Sequence, residues 1–501
     1  MSKINKIIQE AAPRAYYVGG VLRDGLLGRC SGDIDLALPR DLVKPAACKL
    51  AKLLKASAFE MDADFCVWRV SAKNGLQIDL SALIGKDIKE DLKRRDFTIN
   101  ALACAVAVMP PIKTKIADGK LTVLIKPAAK DILDLNDGVK DIKNKIIRAN
   151  AKNVFTDDPL RLLRAVRCAA ELGFEISKPT CALIKKNAPL ITQPAAERVQ
   201  EELRRVFNRA GTKYYLQKMD NLGLLTTIFP LLAAQKGCAQ VYYGKGGVFT
   251  HTLDVVDRME LLLKNLKRIF PKYHKKLLPF TQDIALYKMA ALLHDIAKPQ
   301  TAKVMGDRLR FFYHEEEGAK LAEVILKNLK YSAADTRLIT KMIAYHLRPS
   351  NLASNEIITD RGVYNFFKEL GDASVPMLLM CWADYTSYIT PAQAMRLVKP
   401  SAKPVMTIEA GKKKGALGKT LRHMQVVNFL LGKYFNETKK LVLPRRLIDG
   451  RDIISLLKIQ PGPKIGIVLE AAVLAQVEGK IKTREQALAW LLQNKKDFGI
   501  S

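Results

Sequence analysis

Two aspartates one residue apart, Asp33 and Asp35, have the spacing of a metal-binding pair. Side chains at positions i and i+2 of an extended chain face the same side, so a strand over 33–38 would present both carboxylates together. Two carboxylates so placed can share divalent cations such as Mg²⁺. A tight turn followed by an edge strand with acidic outer positions would give the same letters, so the pair alone is a weak signal.

A glycine pair and an arginine come shortly before these aspartates. Gly19 and Gly20 interrupt an apolar run, and the residues after them predict a helix over 21–27 that carries Arg23. Glycines let the backbone approach a triphosphate closely, and a guanidinium can neutralise phosphate charge. The order of the three elements favours phosphoryl chemistry, in which bound Mg²⁺ bridges the attacking hydroxyl, the α-phosphate and the leaving pyrophosphate.

A second cluster of charges lies in Lys93-Arg-Arg-Asp-Phe-Thr-Ile-Asn-Ala-Leu102. Arg94 and Arg95 can hold triphosphate oxygens. Asp96 and Asn100, four residues apart, would share one face of a predicted helix and could meet a ribose hydroxyl. The alternative is an exposed helix start that Asp96 caps.

Base selection is the chemistry that Asp158 and Arg161 suggest, because they lie three apart on one face of a predicted helix. Cytosine and adenine both show an amino donor beside a ring-nitrogen acceptor, whereas uracil and guanine show a carbonyl acceptor beside an N–H donor. A carboxylate beside a guanidinium matches the first arrangement and opposes the second. Arg164 and Arg167 turn progressively around the helix, so we assign them to phosphate or to holding the pocket. A helix start with Asp158 as N-cap and Pro159 as first residue is the structural alternative.

Histidines and aspartates in the second half of the chain have the order of a metal site. His251, the pair His294-Asp295 and then Asp384 follow an H…HD…D pattern. Imidazoles and carboxylates from different helices can converge on a divalent metal (Mn²⁺, Ni²⁺ or Mg²⁺) that activates water for phosphoester hydrolysis. A hydrolase and a metal-binding body that only supports RNA are both open interpretations. Two further candidate ligands or phosphate contacts are His314 and His346.

Composition narrows the class of partner. The 501 residues are too many for one core and predict about three to four domains. Lys and Arg number 82 against 50 Asp and Glu, a formal charge of +32, which favours a large polyanion as partner, although charge alone names no ligand. Two segments are rich in Lys and Arg and could either bind a phosphate backbone or form solvated faces: Lys264–Lys276 and Lys399–Arg422.

The cysteines and the apolar runs bear on the compartment. The eight cysteines are scattered and include no C-x-x-C pair, and the chain has neither a signal core nor an apolar run of membrane length. These features predict a cytoplasmic protein.

Several motifs together resemble one known family. GGVLRD at 19–24, DIDLAL at 33–38, RRDFTINAL at 94–102 and FTDDPLRLLRAVR at 155–167 resemble the signatures of class II tRNA nucleotidyltransferases and bacterial poly(A) polymerases, within the polymerase-β-like nucleotidyltransferases. The resemblance implies an α+β fold with four parts. They are a nucleotidyltransferase head with a mixed sheet (1–148), a helical base-selecting neck (149–215), a helical HD-type body (216–430) and a helical tRNA-binding tail (431–501).

The resemblance also implies roles and substrates. The enzyme would add CMP, CMP and AMP from CTP and ATP to the 3′ end of tRNA without a nucleic-acid template, with Asp33 and Asp35 as the catalytic Mg²⁺ ligands. The nucleotide-binding set that it implies is Gly19, Gly20, Arg23, Arg95, Asp96, Asn100, Asp158, Arg161, Arg164 and Arg167. The implied HD metal set is His251, His294, Asp295 and Asp384.

Other interpretations stay open from the sequence. A poly(A) polymerase, or a relative that adds only CC or only A, would share these motifs. The HD body could be the working part, a metal phosphohydrolase with a degenerate head, and a basic RNA-binding protein without chemistry is a third alternative. The stretch Val106 to Lys130 is longer than the family pattern, in a region that resembles a flexible element helping nucleotide choice, so base specificity is open. Asp79 is an open candidate for a third carboxylate.

Overall fold

The computed structural model describes residues 3–108, 112–117, 119–240, 247–306, 308–353, 358–397 and 416–499. Within it the chain forms two compact units. The first unit comprises Met1–Val206 and Gln217–Ile228, and the second comprises Phe207–Leu216 and Phe229–Ser501. The four-part division of the chain stays a prediction, and most of the basic segment Lys399–Arg422 lies outside the described residues.

The first unit is built on a mixed sheet of seven strands in the order β3-β4-β5-β2-β1-β6-β9. Strands β2 and β5 run parallel, whereas β1 pairs antiparallel with both β2 and β6. A mixed sheet in a chain that is otherwise mostly helical confirms the predicted α+β class. The strands are β1 Tyr16–Val18, β2 Asp33–Leu38, β3 Ser57–Asp62, β4 Val67–Ser71, β5 Gln77–Ala82, β6 Leu102–Ala105, β7 Lys113–Ala117, β8 Lys120–Leu124, β9 Leu133–Asp134, β10 Ile146–Ile147, β11 Glu175–Ile176, β12 Ala302–Met305 and β13 Arg308–Phe311.

The side chains of strand β2 alternate, and the apolar ones are buried on one face of the sheet. Ile34 and Leu36 are fully buried, while Asp33 is exposed and Asp35 half-buried. Since successive side chains of a strand point to opposite faces, the two aspartates share the face that the apolar residues leave. The predicted strand over 33–38 is confirmed, and so is the short helix after the glycine pair, which spans Gly20–Leu26.

Helices make up most of the rest of both units. In the first part of the chain they are α1 Lys3–Ala11, α2 Gly20–Leu26, α3 Arg40–Leu54, α4 Ile88–Lys93, α5 Gly138–Asn144, α6 Val154–Asp157, α7 Arg161–Leu172, α8 Lys178–Asn187, α9 Ala196–Phe207, α10 Thr212–Asn221, α11 Leu224–Ile228 and α12 Leu231–Gln235. They continue as α13 Gly247–Lys264, α14 Leu266–Ile269, α15 His274–Leu277, α16 Ile284–Leu293, α17 Lys298–Thr301, α18 His314–Asn328, α19 Ala333–Ala344, α20 Arg348–Ala353, α21 Asp360–Leu370, α22 Ser374–Ser387, α23 Pro391–Leu397, α24 Ala416–Asn436, α25 Gly450–Leu457, α26 Pro463–Val477 and α27 Arg484–Gln493.

The second unit is organised around α13, α16, α19 and α22, which pack against one another. Helices α16 and α22 are apolar around their whole circumference and almost all their residues are buried, the pattern of central helices. The last three helices enclose an apolar cluster of their own that includes Ile453, Val468 and Leu491. Among the described helices, none combines the length and apolarity needed to cross a lipid bilayer.

Two local helix predictions were wrong. Helix α4 ends at Lys93 and a 3-10 turn spans Thr98–Asn100, so Asp96 and Asn100 do not share an α-helix. Helix α7 begins at Arg161, and Asp158 closes the short helix α6 before it. The reason is the same in both places: the aspartate side chain accepts a hydrogen bond from a backbone N–H one or two residues on, 2.8 Å for Asp96 and 3.1 Å for Asp158, which competes with regular helix.

Candidate active site

A cavity of about 640 Å³ opens in the first unit over the carboxylate face of β2. It is lined by the turn after β1, by helix α2 and strand β2, by one residue each of β4 and β5, by the segment after α4, and by residues of α9 and of α7 and the turn before it. Of the residues predicted for catalysis and nucleotide binding, all except the exposed Arg94 line it: Gly19, Gly20, Arg23, Asp33, Asp35, Arg95, Asp96, Asn100, Asp158, Arg161, Arg164 and Arg167. Their roles stay predictions, but the fold brings into one cavity residues that are up to 148 positions apart in the chain.

Three carboxylates meet on the floor of the cavity. Asp79 lies directly opposite Asp35 in the parallel register of β2 and β5. Burial first, and then the negative charge of Asp79, raise the pKa of Asp35 to about 6, and the same two causes raise the pKa of Asp33. Since a divalent cation would relieve this repulsion, the residues present fit a Mg²⁺ site.

Asp79 has a fixed partner that the sequence did not reveal. Arg69 on the neighbouring strand β4 donates two hydrogen bonds to it, Nε to Oδ1 and Nη2 to Oδ2, both of 2.7 Å. This bidentate pair orients the carboxylate and neutralises one of the three negative charges on the cavity floor. Asp79 therefore lies at the site, as a carboxylate that Arg69 already holds.

The glycine turn gives space next to the carboxylates. Gly19 has φ of +71°, a left-handed conformation that favours glycine. A Cβ added there would lie 3.2 Å from Arg95 Nη1 and 3.5 Å from Asp35 Oδ2, so a side chain would crowd both groups. The backbone of the turn therefore lies close to a guanidinium and a carboxylate. A triphosphate bound there could contact the backbone and the guanidinium, while its cation contacts the carboxylate.

A chain of hydrogen bonds links the predicted phosphate arginine to helix α7. Arg23 donates to Asn100 Oδ1 at 2.7 Å, and Asn100 donates to Asp96 Oδ1 at 3.0 Å. Asp96 Oδ2 accepts two bonds from Arg164, of 3.0 Å and 2.6 Å. Burial would raise the pKa of Asp96, but the charge of Arg164 and these hydrogen bonds outweigh it and lower the pKa to about 2. Asp96 is therefore an ionised link between two arginines that line the cavity.

The predicted base-selecting pair lies at the cavity wall. Arg161 Nε and Asp158 Oδ2 are 3.9 Å apart, too long for a hydrogen bond between them. Asp158 Oδ2 is also 3.4 Å from Arg198 Nη2. The carboxylate and the guanidinium are thus neighbours that keep hydrogen-bonding capacity for a ligand.

Helix α9 adds residues that hold the rear of the site. Glu202 is buried and accepts a hydrogen bond of 3.2 Å from Arg167, which is itself buried. This pairing favours the pocket-holding role for Arg167 over direct phosphate contact. Arg205, which pairs with Glu201 at 2.6 Å, lines the cavity but was missed from the sequence. None of the sequence motifs described above covers α9, where the adjacent basic residues Arg204 and Arg205 were the available signal.

The second unit contains a separate, buried cluster of histidines and aspartates. His251 Nε2 lies 3.1 Å from Asp295 Oδ2 and 3.2 Å from Asp384 Oδ1. His294 Nε2 lies 3.1 Å from the same Asp295 oxygen and 3.3 Å from His251 Nε2. The four predicted HD residues therefore converge, brought by helix α13, the end of α16 and helix α22. The other oxygen of Asp295 faces the two further candidates, His314 at 3.5 Å and His346 at 3.8 Å.

All four imidazoles are oriented alike by their other ring nitrogen. The Nδ1 atoms of His294, His314 and His346 lie 2.8 Å, 2.9 Å and 2.6 Å from backbone carbonyls, and that of His251 lies 3.1 Å from the Ser387 hydroxyl. A proton on Nδ1 leaves Nε2 as a free lone pair directed at the cluster, as in metal-ligating histidines. Burial and neighbouring histidines lower the pKa of His346 to about 4, which keeps it neutral.

The donor set fits divalent metal. Both carboxylate oxygens of Asp295, together with Asp384 Oδ1 and His314 Nε2, are buried and form no hydrogen bond of normal geometry with any described residue, although Lys298 Nζ lies 2.6 Å from Asp295 Oδ2. Two groups of three ligands can each hold an ion: His251, His294 and Asp384 on one side, and Asp295, His314 and His346 on the other. Buried acceptor atoms without a hydrogen-bond partner are stabilised when a cation binds to them.

Comparisons with known proteins agree with both sites. The family model described as Poly A polymerase head domain matches residues 15–148, and the model for a probable RNA- and SrmB-binding site of polymerase A matches 173–236. The HD domain model matches 248–389. The A-adding tRNA nucleotidyltransferase of Deinococcus radiodurans is 27% identical over 486 residues, which cover 96% of this chain and 95% of the relative. Over nearly its whole length the chain is therefore similar to the tRNA nucleotidyltransferase and poly(A) polymerase family.

Other members of the family align with similar extent. The CC-adding tRNA nucleotidyltransferase of Geobacter sulfurreducens is 28% identical over 488 residues, 95% of this chain and 91% of the relative. Among solved structures, a CCA-adding enzyme in complex with ATP has a TM-score of 0.61 at 18% identity and covers 98% of this chain and 92% of that one. The Thermotoga maritima CCA-adding enzyme complexed with tRNA has a TM-score of 0.55 at 19% identity and covers 98% and 94%. This nucleotidyltransferase therefore shares its fold with CCA-adding enzymes over nearly the whole chain.

Proposed function

We propose that the protein adds CMP, CMP and AMP, from CTP and ATP, to the 3′ end of tRNA without a nucleic-acid template, in the cytoplasm. The observation that carries the proposal is the cavity that contains Asp33 and Asp35 together with Asp158 and Arg161. Metal-binding carboxylates and a base-matching pair in one cavity are what a polymerase needs when protein groups, and no template base, choose the nucleotide. The names of the full-length relatives agree with tRNA as the acceptor.

Residues in different parts of the cavity would have different roles. Asp33 and Asp35 would hold Mg²⁺, which when bound supplies charge neutralisation at the α-phosphate and activation of the 3′ hydroxyl. Arg95, beside Gly19, and Arg23 would take the charge of the triphosphate, so the pyrophosphate leaves toward them. Positioning and charge neutralisation by these preorganised groups would supply most of the catalysis.

Base choice would rest on Asp158 and Arg161. The carboxylate accepts from the exocyclic amino group of cytosine or adenine, and the guanidinium donates to the adjacent ring nitrogen. Uracil or guanine would leave buried polar groups unpaired, at a cost of roughly 1–3 kcal/mol for each group. The hydrogen-bond chain from Arg23 to Arg164 connects the triphosphate side of the pocket to the helix that carries Arg161.

Purified protein incubated with tRNA that ends before CCA, and with each nucleotide singly and in pairs, tests the proposal. We expect two CMP residues with CTP alone and a completed CCA end with CTP and ATP together. Addition of CMP only, of AMP only to tRNA ending in CC, or of a long A tail to any RNA would instead assign the chain to the CC-adding, A-adding or poly(A) polymerase relatives. No incorporation of any nucleotide into any RNA would overturn the proposal altogether.

A second function is favoured by the buried cluster in the second unit. We propose that it holds divalent metal, with Asp295 between two groups of ligands, and hydrolyses phosphoesters such as cyclic phosphates or tRNA ends. The supporting observation is that Asp295 turns one oxygen to His251 and His294 and the other to His314 and His346. A carboxylate with ligands on both sides can bridge two ions, an arrangement that stabilises attacking and leaving oxygens together.

The two functions can be separated by single substitutions. Asp33→Ala should abolish nucleotide incorporation and leave hydrolysis of a 2′,3′-cyclic nucleotide unchanged, whereas His294→Ala should do the reverse. Protein loaded with Mn²⁺, Ni²⁺ or Mg²⁺ in turn identifies the metal that supports hydrolysis. Retained cyclic phosphate hydrolysis in the His294→Ala variant would rule the cluster out as its source.

A further inference from the structure

The stretch that departs most from the family pattern folds as a β-hairpin in the first unit. Strands β7 and β8 pair antiparallel from Lys113 opposite Leu124 to Ala117 opposite Lys120. The hairpin does not join the seven-stranded sheet but makes two bonds with Ser31, Ser31 N to Val123 O and Val123 N to Ser31 O, both of 2.8 Å. Ser31 lines the cavity, and its hydroxyl is hydrogen-bonded to the backbone of Asp33. The hairpin is therefore docked at the entrance to the carboxylate strand.

Two further contacts fix the position of the hairpin. Leu121 N donates a hydrogen bond of 2.8 Å to the carbonyl of Asn74, in the turn before β5, the strand that carries Asp79. At Gly25 in helix α2 a Cβ would lie 1.6 Å from the carbonyl oxygen of Ile125, just after β8. Only glycine permits that approach, so the helix beside the glycine turn has a residue matched to the hairpin. The hairpin thus bridges the segments that lead into both carboxylate strands.

One face of the hairpin is basic. Residues opposite each other in an antiparallel pair, and residues two apart along a strand, share a face. The register therefore puts Lys113, Lys115 and Lys120 on the same side. All three are exposed, and none forms an ion pair with any residue in the described ranges.

The position of this face defines which phosphates it can reach. The triphosphate side of the cavity is marked by Gly19 and Arg95, at the end of β1, whereas the hairpin contacts the chain just before Asp33. In phosphoryl transfer the attacking and leaving oxygens lie roughly in line, so the 3′ hydroxyl arrives from the side opposite the leaving pyrophosphate. Lys113 and Lys115 are about 7 Å apart along the strand, a separation that suits successive phosphates better than one phosphate group.

We propose that the β7–β8 hairpin is an RNA-binding element, whose Lys113, Lys115 and Lys120 hold backbone phosphates of the RNA 3′ end that is being extended. The inference rests on the proposed function of the cavity, because it names the part of the protein that positions the acceptor for that site. It assigns the lysines to the acceptor RNA and excludes them from binding the incoming nucleotide.

The test compares the wild-type chain with the variant Lys113→Gln/Lys115→Gln/Lys120→Gln. We expect a higher KM for tRNA, an unchanged KM for CTP and weaker tRNA binding in the absence of nucleotide. The slope of log Kd for tRNA against log salt concentration should fall by about 2, since each lost contact with single-stranded phosphate removes about 0.7. A purely structural role for the hairpin would not change that slope in proportion to charge. The triple Lys→Arg variant should restore the wild-type values.

The matched control is Lys52→Gln/Lys55→Gln/Lys89→Gln, which removes three exposed lysines that lie outside the hairpin, at helices α3 and α4. The same loss of tRNA binding in this control would show a general effect of net charge and overturn the proposal. A raised KM for CTP with unchanged tRNA binding would overturn it as well, because the lysines would then serve the triphosphate. If the wild-type chain adds no nucleotide at all, the cavity's proposed function fails, while the binding comparison still decides whether the hairpin holds RNA.

Discussion

The carboxylates of the head cavity and those of the HD cluster face opposite electrostatic surroundings. In the cavity, burial and like charge raise the pKa of Asp33 and Asp35. In the cluster, burial would also raise the pKa of Asp295, but its contacts with His294, Lys298 and His251 outweigh burial and hold the pKa well below its usual range. The cluster therefore keeps its central carboxylate ionised through groups of its own, whereas a cation would relieve the repulsion among Asp33, Asp35 and Asp79 in the cavity.

This difference suits the cluster to a metal that stays bound, and the cavity to a metal that arrives with the substrate. The cluster is buried, and each of its four histidines is fixed by a hydrogen bond at Nδ1, so its ligands are preorganised around a central carboxylate. The cavity is lined almost entirely by charged and glycine residues and is open to a nucleotide. A divalent ion bound by the cluster would therefore be held tightly, whereas one at the cavity would be open to exchange when the nucleotide leaves.

The largest expected effect is at the cavity floor. Asp35→Asn should lower the rate of CMP incorporation by roughly 10³-fold, because it removes a ligand of the proposed Mg²⁺ site. Single-turnover incorporation of labelled CTP into tRNA measures the change, with Asp41→Asn on the exposed side of helix α3 as control. Metal content of the HD cluster should stay as in the wild type; a parallel loss of that metal would mean the two sites are not independent.

The HD cluster should respond in the opposite way. His294→Gln is expected to weaken metal binding by more than the roughly 10–100-fold that loss of an outer-shell partner costs, since it removes a ligand itself. Elemental analysis after dialysis measures the metal retained per chain, and nucleotide incorporation should be unaffected. His274→Gln, outside the cluster, is the matched control. Full metal retention in the His294 variant would contradict the assignment of the cluster.

Base selection should change without loss of the reaction. Asp158→Asn replaces an acceptor by an amide that can also donate, so the preference for CTP over UTP should fall by roughly 10–100-fold, equivalent to about 1–3 kcal/mol. The ratio of kcat/KM values for the two nucleotides measures it. The control is Asp157→Asn, at the neighbouring exposed position, which should leave the ratio of the two kcat/KM values unchanged. An unchanged ratio in the Asp158 variant would remove that residue from the base-selecting pair.

The smallest effect is on stability. The pKa of Asp96 is lowered to about 2 by Arg164 and its hydrogen bonds, from an ordinary value near 3.8. A carboxylate with a lowered pKa in the folded state contributes stability that is complete above about pH 4 and is lost as the pH falls toward 2. Asp96→Asn should therefore reduce the free energy of unfolding by about 2 kcal/mol at pH 7, and by less as the pH falls below 4.

Urea unfolding of wild type and Asp96→Asn, followed across pH 7 to 3, measures that difference. The control is Asp87→Asn, at an exposed position. It tests whether replacing any aspartate gives the same pH dependence of the free energy of unfolding. A difference between wild type and Asp96→Asn that stays constant from pH 7 to 3 would show that the ion pair with Arg164 contributes nothing to stability.

Much of both sites could be predicted from local sequence. The strand over 33–38 and the short helix after Gly19-Gly20 follow from periodicity, whereas the set of residues lining the cavity was implied by the resemblance of the motifs to a known family. The helix assigned to Asp96 and Asn100 was wrong because side-chain hydrogen bonds compete with helical ones, which residue periodicity does not register. Arg69 and Arg205 were missed since their importance comes from what lies beside them in space.

The order of residues in the chain gives the chemical groups that are present and those that share a strand or helix face, because these relations depend only on residue identity and the backbone period. Tertiary structure decided how Arg69 holds Asp79 across two strands, how Asp96 joins Arg23 to Arg164, and how Asp295 turns an oxygen to each pair of histidines. It also places the long stretch between β6 and β9 as a basic hairpin at the entrance to the carboxylate strand. Contacts between distant segments depend on packing and charge in three dimensions, which no local pattern encodes.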